Sequence, residues 1–407
     1  MSDWKEFSLG EVADPNDRYS FSGGPFGSNL KSEEYTENGV RIIQLQNIGD
    51  GTFKNNYKIY TSEEKADELF SCNIYPGEII LSKMGDPVAR ATLIPSMDER
   101  YLMASDGIRL KVDPARFDST FILNAINSPE FRGTAESVSV GSTRKRIGLT
   151  TLKGLTIYAP PLPEQKKIAE ILSGIDRSIQ AKELSIQKTD SVLRARKDDL
   201  MAGVEEWHEF ELGELLTFRN GLNTEKENFG QGVPFVSYKN VYSGGIVTTK
   251  SLSQSVSLSA VEVERFSLRS GDILFTRTSE TPDEIGFSCV FDDKHGSAVF
   301  NGFCIRGRSH EGRKLTPDFA SFYLRSESVL AQMRFLCKYT TRAGISAESL
   351  SKVKVRIPDQ RTQQQLANSL IAVNEFRTTQ EKSVRNLKNV KKAVSADLLS
   401  GRKRVSI

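Results

Sequence analysis

The chain is an internal duplication, and this restricts its fold more than any single motif does. Leu152, Pro160, Gln165, Ala169, Leu172, Leu200 and Gly203 recur as Leu350, Pro358, Gln363, Ala367, Leu370, Leu398 and Gly401, each displaced by 198 residues. The segments that open these stretches, APPLPEQKKIAEILSGIDR (Ala159 to Arg177) and RIPDQRTQQQLANSLIAVNEF (Arg356 to Phe376), each begin a long helical pattern. A register unbroken through about fifty residues means two copies of one folding unit, and a two-copy protein suits a ligand with two similar halves.

Upstream the register loosens. WKEFSLGEV (Trp4 to Val12) returns as WHEFELGEL (Trp207 to Leu215) at a displacement of 203, an aromatic and apolar opening that would seat each start on a core. GVRIIQLQNIGDG (Gly39 to Gly51) returns as GVPFVSYKNVYSG (Gly232 to Gly244) at 193, and PGEIILSK (Pro76 to Lys83) as SGDILFTR (Ser270 to Arg277) at 194. Insertions and deletions thus fall in the first two-thirds of each copy, while the last third keeps step, the pattern of a variable specificity part on a fixed scaffold.

The variable parts alternate short β-branched runs such as RIIQL, EIILS, DILFTR and KVKVRI with segments of helical spacing, Ser119 to Ala135 and Pro317 to Phe335. In the last third, Pro163 suits a first helical turn and Gly203 a stop, giving a helix of about 38 residues, or ~57 Å. Leu172, Ile179, Ile186, Leu193 and Leu200 recur every seventh residue; a second stripe starts with Ile168 and Ile175 and turns polar at Lys182, Thr189 and Arg196. The second copy has Leu366, Val373, Gln380, Leu387 and Val394, and Leu370, Arg377, Val384, Lys391 and Leu398. A seven-residue repeat predicts helix-on-helix packing. The expected fold class is therefore α/β: two mixed α/β domains, 1–157 and 204–355, separated by a long antiparallel two-helix coiled-coil spacer, 158–203 and 356–407, with a pseudo-twofold internal repeat.

A length of 407 residues fits several domains of ~100–200 residues. With 55 basic and 52 acidic side chains the net charge is only +3, so any nucleic-acid surface must be local. The scattered Cys72, Cys289, Cys304 and Cys337 suggest neither a zinc cluster nor a disulfide framework. The opening MSDWKEFSLGE is unlike a signal peptide and no window approaches a membrane span, so a cytoplasmic protein is expected.

Catalytic signatures are mostly missing: there is no GxxxxGK[ST] phosphate loop, HExxH, nucleophile elbow, dinucleotide fingerprint or Asn-Pro-Pro-aromatic tetrapeptide. SGGPFGSN (Ser22 to Asn29) reads as a surface loop. Asp283, Asp292 and Lys294 match the spacing of a metal-dependent nuclease, in which two carboxylates hold Mg²⁺ and a lysine polarises the phosphate. Asp292 to Gly296 also reads as a turn, and the first copy has no counterpart.

Side chains suited to DNA fall at matched loop positions. Gln46 and Asn47 match Lys239 and Asn240; Lys83 matches Arg277; and GSTRKR, containing Arg144, Lys145 and Arg146, precedes the first long helix as TTRAG, containing Arg342, precedes the second. Arg and Lys fork onto guanine, Asn and Gln onto adenine, and spare cations neutralise phosphate. Exposed loops are polar in any protein, so it is the matched pairing that singles these residues out.

PPLPEQKKIAEILSGID, the paired WxEFxLGE openings, GDILFTRTSETPDEIG and the terminal DLLSGRKRV resemble the specificity (S) subunit of type I restriction-modification systems, over the whole chain. IPDQRTQQQLA departs from the PLPEQ spelling. The resemblance implies a non-catalytic DNA reader for a restriction system that also carries out DNA methylation. Each α/β domain would be a target recognition domain for one half of a bipartite, asymmetric site, and the helices would set the gap. The helices would also dock two methyltransferase (M) subunits, through Gln165, Ile168, Leu172, Ile175, Gln363, Leu366, Leu370 and Val373. No cofactor is expected in this chain: the partner subunits would supply S-adenosylmethionine, ATP and Mg, with restriction (R) subunits joining the full complex. Two other classes stay open, the nuclease using Asp283, Asp292 and Lys294, and a coiled-coil scaffold without DNA function.

Overall fold

The computed structural model describes residues 3–141, 144–202, 207–310 and 315–406, the side chains of 194–202 excepted. Gly203, the side chains of Arg196 and Leu200, and Ser142 and Thr143 of the GSTRKR run therefore lie outside the described residues. The chain divides into two units, Met1–Lys182 with Ser383–Ile407, and Glu183–Lys382.

In the first unit the opening segment Lys5–Ser8 pairs antiparallel with Thr156–Ala159, immediately before the long helix. Trp4 and Phe7 pack on the main core, Trp4 edge-on to Phe121. A four-stranded antiparallel sheet runs in the order Phe21–Gly23, Gly107–Leu110, Ile79–Ser82, Ala91–Leu93. Ile79–Ser82 is buried at every position, which is why this run shows no alternation. A five-stranded mixed sheet is ordered Tyr35–Thr36, Tyr60–Thr61, Val40–Ile43, Tyr101–Met103, Asn73–Ile74. The helical segment expected over 119–135 is two helices, Ser119–Ile126 and Pro129–Ser137. The break comes where Ser128 caps the second helix through Phe131 N–H at 3.2 Å and Pro129 takes its first turn.

The second unit repeats the plan. His208–Glu211 pairs antiparallel with Lys354–Ile357, and Trp207 packs against Phe319 and Tyr323. The main sheet is ordered Leu216–Asn220, Cys304–Ser309, Asp272–Thr276, Ser288–Phe291, Ile246–Val247. A three-stranded sheet joins Ser255–Val256, Phe229–Val236 and Val299–Phe300. The expected helix over 317–335 again divides, into Pro317–Tyr323 and Glu327–Leu336.

The two long helices, Leu162–Ala202 and Gln360–Leu399, are 41 and 40 residues, or ~60 Å each. Among the described residues, members of both stripes meet the opposite helix. In the first unit Ile168, Leu172 and Leu398 are buried in one cluster, and Lys391 Nζ meets Asp176 Oδ1 at 2.6 Å. In the second unit Arg377 Nε meets Asp190 Oδ1 at 2.6 Å. From 176 to 190 on one helix is fourteen residues forward, and from 391 to 377 on the other fourteen back, so the helices run antiparallel with two heptads between the ion pairs. In the first unit Arg404 also closes a two-pronged pair on Glu164 of the PLPEQ motif, at 2.6 and 2.7 Å.

Candidate nucleic-acid interface

Each α/β body carries a hollow at the same place. Val40–Ile43 and Tyr101–Met103 pair in parallel, as do Phe229–Val236 and Val299–Phe300, with Ile42 opposite Leu102 and Phe235 opposite Val299. Parallel neighbours send their carboxyl ends the same way, and the crevice beyond such ends is where open α/β sheets receive ligands. In the first unit the chain leaving these strands, Gln44, Leu45 and Ala104, lines a hollow of about 240 Å³. In the second, Ser237, Tyr238 and Asn301 line one of about 1110 Å³.

The loop that borders each hollow rests on a glycine. A Cβ on Gly24 would stand 1.9 Å from Ala104 O, and one on Gly221 2.1 Å from Asn301 O, so only glycine lets the loop lie on the strand end. SGGPFGSN is indeed a surface loop, and it carries Phe26, 82% exposed, at the edge of the first hollow. Sequence reasoning passed over Phe26, and likewise Phe229 and Tyr238, which line the second hollow. The matched Gly24 and Gly221 were the available signal.

The predicted DNA residues separate into two groups. Gln46 and Lys239 are exposed on the turns bordering the hollows. Lys83 and Arg277 are half-buried at strand ends, and their carbonyls accept from Ile147 N–H and Ile345 N–H, both at 2.9 Å. These bonds tie each strand end to a short ribbon, where Val140 bridges Arg146 in one unit and Lys338–Tyr339 pairs with Ala343–Gly344 in the other. Arg144 and Arg342 are exposed at equivalent points of the ribbons; Arg146 is exposed and Lys145 half-buried. Arg146 Nη2 lies 3.3 Å from Asp106, which lines the first hollow, and Lys145 Nζ lies 3.6 Å from Glu136. Arg342 shares a neighbouring hollow with Tyr238. In each unit, then, the hollow and the ribbon adjoin.

Asn47 and Asn240 bond within their own turns. Asn47 is fully buried: its Oδ1 accepts from Gln44 N–H at 3.0 Å, and its Nδ2 donates to Lys54 O and Tyr57 O, both at 2.9 Å. Asn240 is half-buried, and its Oδ1 accepts from Ser237 N–H at 3.0 Å and Ser237 Oγ at 2.6 Å. Each asparagine closes the same turn in its unit.

Of the expected docking residues, the two glutamines bond within the chain. Gln165 Oε1 accepts from Asp118 N–H at 3.0 Å, and its Nε2 donates to Pro160 O at 2.8 Å and Arg116 O at 3.1 Å. Gln363 repeats this, accepting from Thr316 N–H at 2.8 Å and donating to Pro358 O at 2.9 Å. Both are internal latches between helix and α/β body. Ile168, Leu172 and Leu370 are buried within the chain too, whereas Ile175, Leu366 and Val373 are half-buried.

The nuclease residues are not assembled. Asp283 lies in the turn Pro282–Glu284 before strand Ser288–Phe291 and Asp292 follows that strand, so its whole length, ~13 Å, separates them. Asp293 accepts from His295 N–H at 3.1 Å and Gly296 N–H at 2.9 Å, a side-chain-closed turn. Hydrogen bonds from the Thr249 hydroxyl and main chain, then from these amides, hold its carboxyl at about 2. Among the described residues no group of three or more His, Cys, Asp or Glu could hold a metal ion, and no helix is long and apolar enough to cross a membrane.

The sequence is 24% identical to the EcoKI specificity subunit of Escherichia coli K12 over 287 residues, 66% of this chain and 61% of that subunit. It is 21% identical to the StySPI specificity subunit of Salmonella potsdam over 378 residues, 85% and 77% of the two chains. The fold is similar to the type I restriction-modification S subunit from M. genitalium, with a TM-score of 0.58 and 16% identity over 98% of this chain and 96% of that one. A chain from the structural study of complex assembly in the type I R-M system gives 0.60 and 14% over 98% of each. The family described as type I restriction modification DNA specificity domain matches twice, at residues 1–188 and 204–388, and with the duplicated α/β bodies and paired helices this makes the chain a member of that family, the non-catalytic specificity subunits of type I restriction-modification.

Proposed function

We propose that the chain reads a bipartite, asymmetric DNA target, one half with each α/β body, and that the helices set the gap and dock two M subunits. The observation that carries this is the pair of hollows, alike in position and different in lining. The second offers Lys226, Lys239, Tyr238 and Phe229, whereas the first offers Gln44, Tyr35, Phe26 and Asp106. Cationic and amide groups beside aromatics supply phosphate contacts, base-edge hydrogen bonds and stacking surfaces. Two linings at one position would favour two different half-sites.

In this reading the recognition domains are 1–157 and 204–355, with 158–203 and 356–407 as framework. The contacts to DNA come from Gln46, Lys83, Arg144, Lys145, Arg146, Lys239, Arg277 and Arg342, with Asn47 and Asn240 shaping the turns beneath them. Docking moves to the outer face of the helices, where Val192 and Val390, equivalent in the repeat, are 46% and 49% exposed. One such position per copy gives two M subunits. In this reading the M subunits carry S-adenosylmethionine and the R subunits carry ATP and Mg; that a chain of similar fold comes from a study of complex assembly of the type I R-M system supports the partnership alone.

A genome-wide map of adenine methylation in cells with and without the chain tests the reading: one bipartite motif should lose methylation when the chain is removed, and an unchanged map would sink it. Val192→Asp and Val390→Asp should each release one M subunit in co-purification and together both; full retention in the double variant would refute the docking face.

A further inference from the structure

The two units carry opposite charge at one equivalent place on the main sheet. In the first unit Arg109 is buried and forked onto Glu78, at 2.7 and 2.6 Å, and its Nη2 also reaches Asp17 at 2.8 Å. Lys111 Nζ adds contacts to Asp14 at 3.1 Å and Asp17 at 3.4 Å. Two cations thus face three carboxylates.

Arg306 and Arg308 are the equivalents of Arg109 and Lys111, and Asp272 of Glu78. The sheet pairing confirms the register: Leu110 lies opposite Phe21 as Gly307 lies opposite Phe218, and Ala13 opposite Val112 as Leu216 opposite Ser309. Seven residues separate Ala13 from Phe21, but only Thr217 separates Leu216 from Phe218. The second unit therefore lacks a six-residue loop, and the missing loop is the one that carries Asp14 and Asp17. In place of Ser22 it has Arg219, directly opposite Arg306.

Asp272 forks onto Arg308, at 2.8 and 2.6 Å, and lies among Arg306, Arg308, Arg219 and Arg269. Beyond Asp272 these side chains find carbonyls around the end of helix Ala260–Phe266: Arg306 Nη1 and Arg308 Nη2 donate to Ser267 O, both at 2.9 Å, and Arg219 Nη1 to Arg265 O at 3.0 Å. Arg306 is 6% exposed and its Nε is buried with no partner. Arg219, Arg265 and Arg269 are exposed, and none has a carboxylate partner among the described residues. Burial first, then Arg308, Arg219 and Arg269 against Asp272, pulls Arg306 down to about 10. Like charges set directly opposite in a sheet are destabilising, so this unit maintains a concentration of positive charge that its sister neutralises.

We propose that the Arg219, Arg269, Arg306 and Arg308 face is a phosphate-binding platform, and that it holds the backbone of the DNA beside the second half-site only. Planar guanidinium forks match phosphate geometry. This rests on the DNA-reading proposal, and it adds that the two half-sites are held with unequal electrostatic grip.

The test uses the full chain assembled with its M subunits. Arg219→Gln with Arg269→Gln, both exposed, should lower the slope of log binding constant against log salt by about one to two, since each phosphate contributes roughly 0.9. The corresponding double Lys variant should restore it, and Lys111→Gln in the first unit should leave it unchanged. Grafting residues 14–19 between Leu216 and Thr217 should reproduce the loss. An unaltered slope with duplex binding retained overturns the platform alone; absence of duplex binding by the parent assembly overturns the DNA-reading proposal with it. A second arm adds millimolar inorganic phosphate against chloride at equal ionic strength. Thermal stabilisation that the Gln pair abolishes while the salt slope stays put would mean free phosphate rather than DNA, and would also overturn the assignment.

Discussion

Gln165 and Gln363 show how a repeated polar residue can serve the fold from inside. A glutamine on a helix reads as surface, and a matched pair invites a partner, but here the donors and acceptors come from segments as far as 49 residues away in sequence. Gln165→Ala would strand the Asp118 N–H and Pro160 O inside the fold, at a cost of about 1–3 kcal/mol, seen as earlier urea unfolding of the first unit with the methylated motif unchanged. Loss of an M subunit in co-purification, with stability unchanged, would mean that the side chain docks the partner after all. Asn47→Ala should behave the same way, whereas Gln46→Ala, one residue earlier and exposed, should weaken methylation at one half-site without loss of stability. Asp293 gives a pH test. Its carboxyl is held below the usual range, so its contribution to the turn is complete above about pH 4 and is lost as pH falls through about 2. Carbon NMR titration of that carboxyl should give this low midpoint.

At the scale of elements, the polar positions that interrupt the apolar stripes are explained by pairing. Arg377 and Lys391 occupy seam positions and reach Asp190 and Asp176 on the opposite helix. Such half-exposed pairs are each worth about 0.2–1 kcal/mol, but they define which heptads face one another. Asp190→Arg should lower the unfolding temperature, and adding Arg377→Asp should restore it; no coupling in the double-mutant cycle would reduce the pair to surface decoration. Removing seven residues from both helices shortens them by ~10 Å, so the gap in the methylated motif should contract by about three base pairs at ~3.4 Å each. An unchanged gap would remove the ruler. The helix–helix seam was legible in the sequence because a heptad repeat is local. The division of 119–137 into two helices was less so, because Ser128 and Pro129 sit inside a pattern whose apolar spacing continues across them.

For the whole molecule, the duplication makes modularity testable: exchanging residues 1–157 for those of another specificity subunit should alter one half of the methylated motif, and alteration of both halves would contradict independent reading. The sequence by itself determined the two copies, the long paired helices and the family. All of these follow from periodicity and from motifs contiguous in the chain. Tertiary structure alone decided which polar side chains face inward, that Asp283 and Asp292 stand at opposite ends of a strand, and that both hollows open beyond parallel strand ends. It also showed that six residues absent from the second copy leave an arginine face with Asp272 but without counterparts of Asp14 and Asp17. These depend on strand pairing between segments far apart in the chain, where one short insertion changes which charges meet, and periodicity carries no record of that.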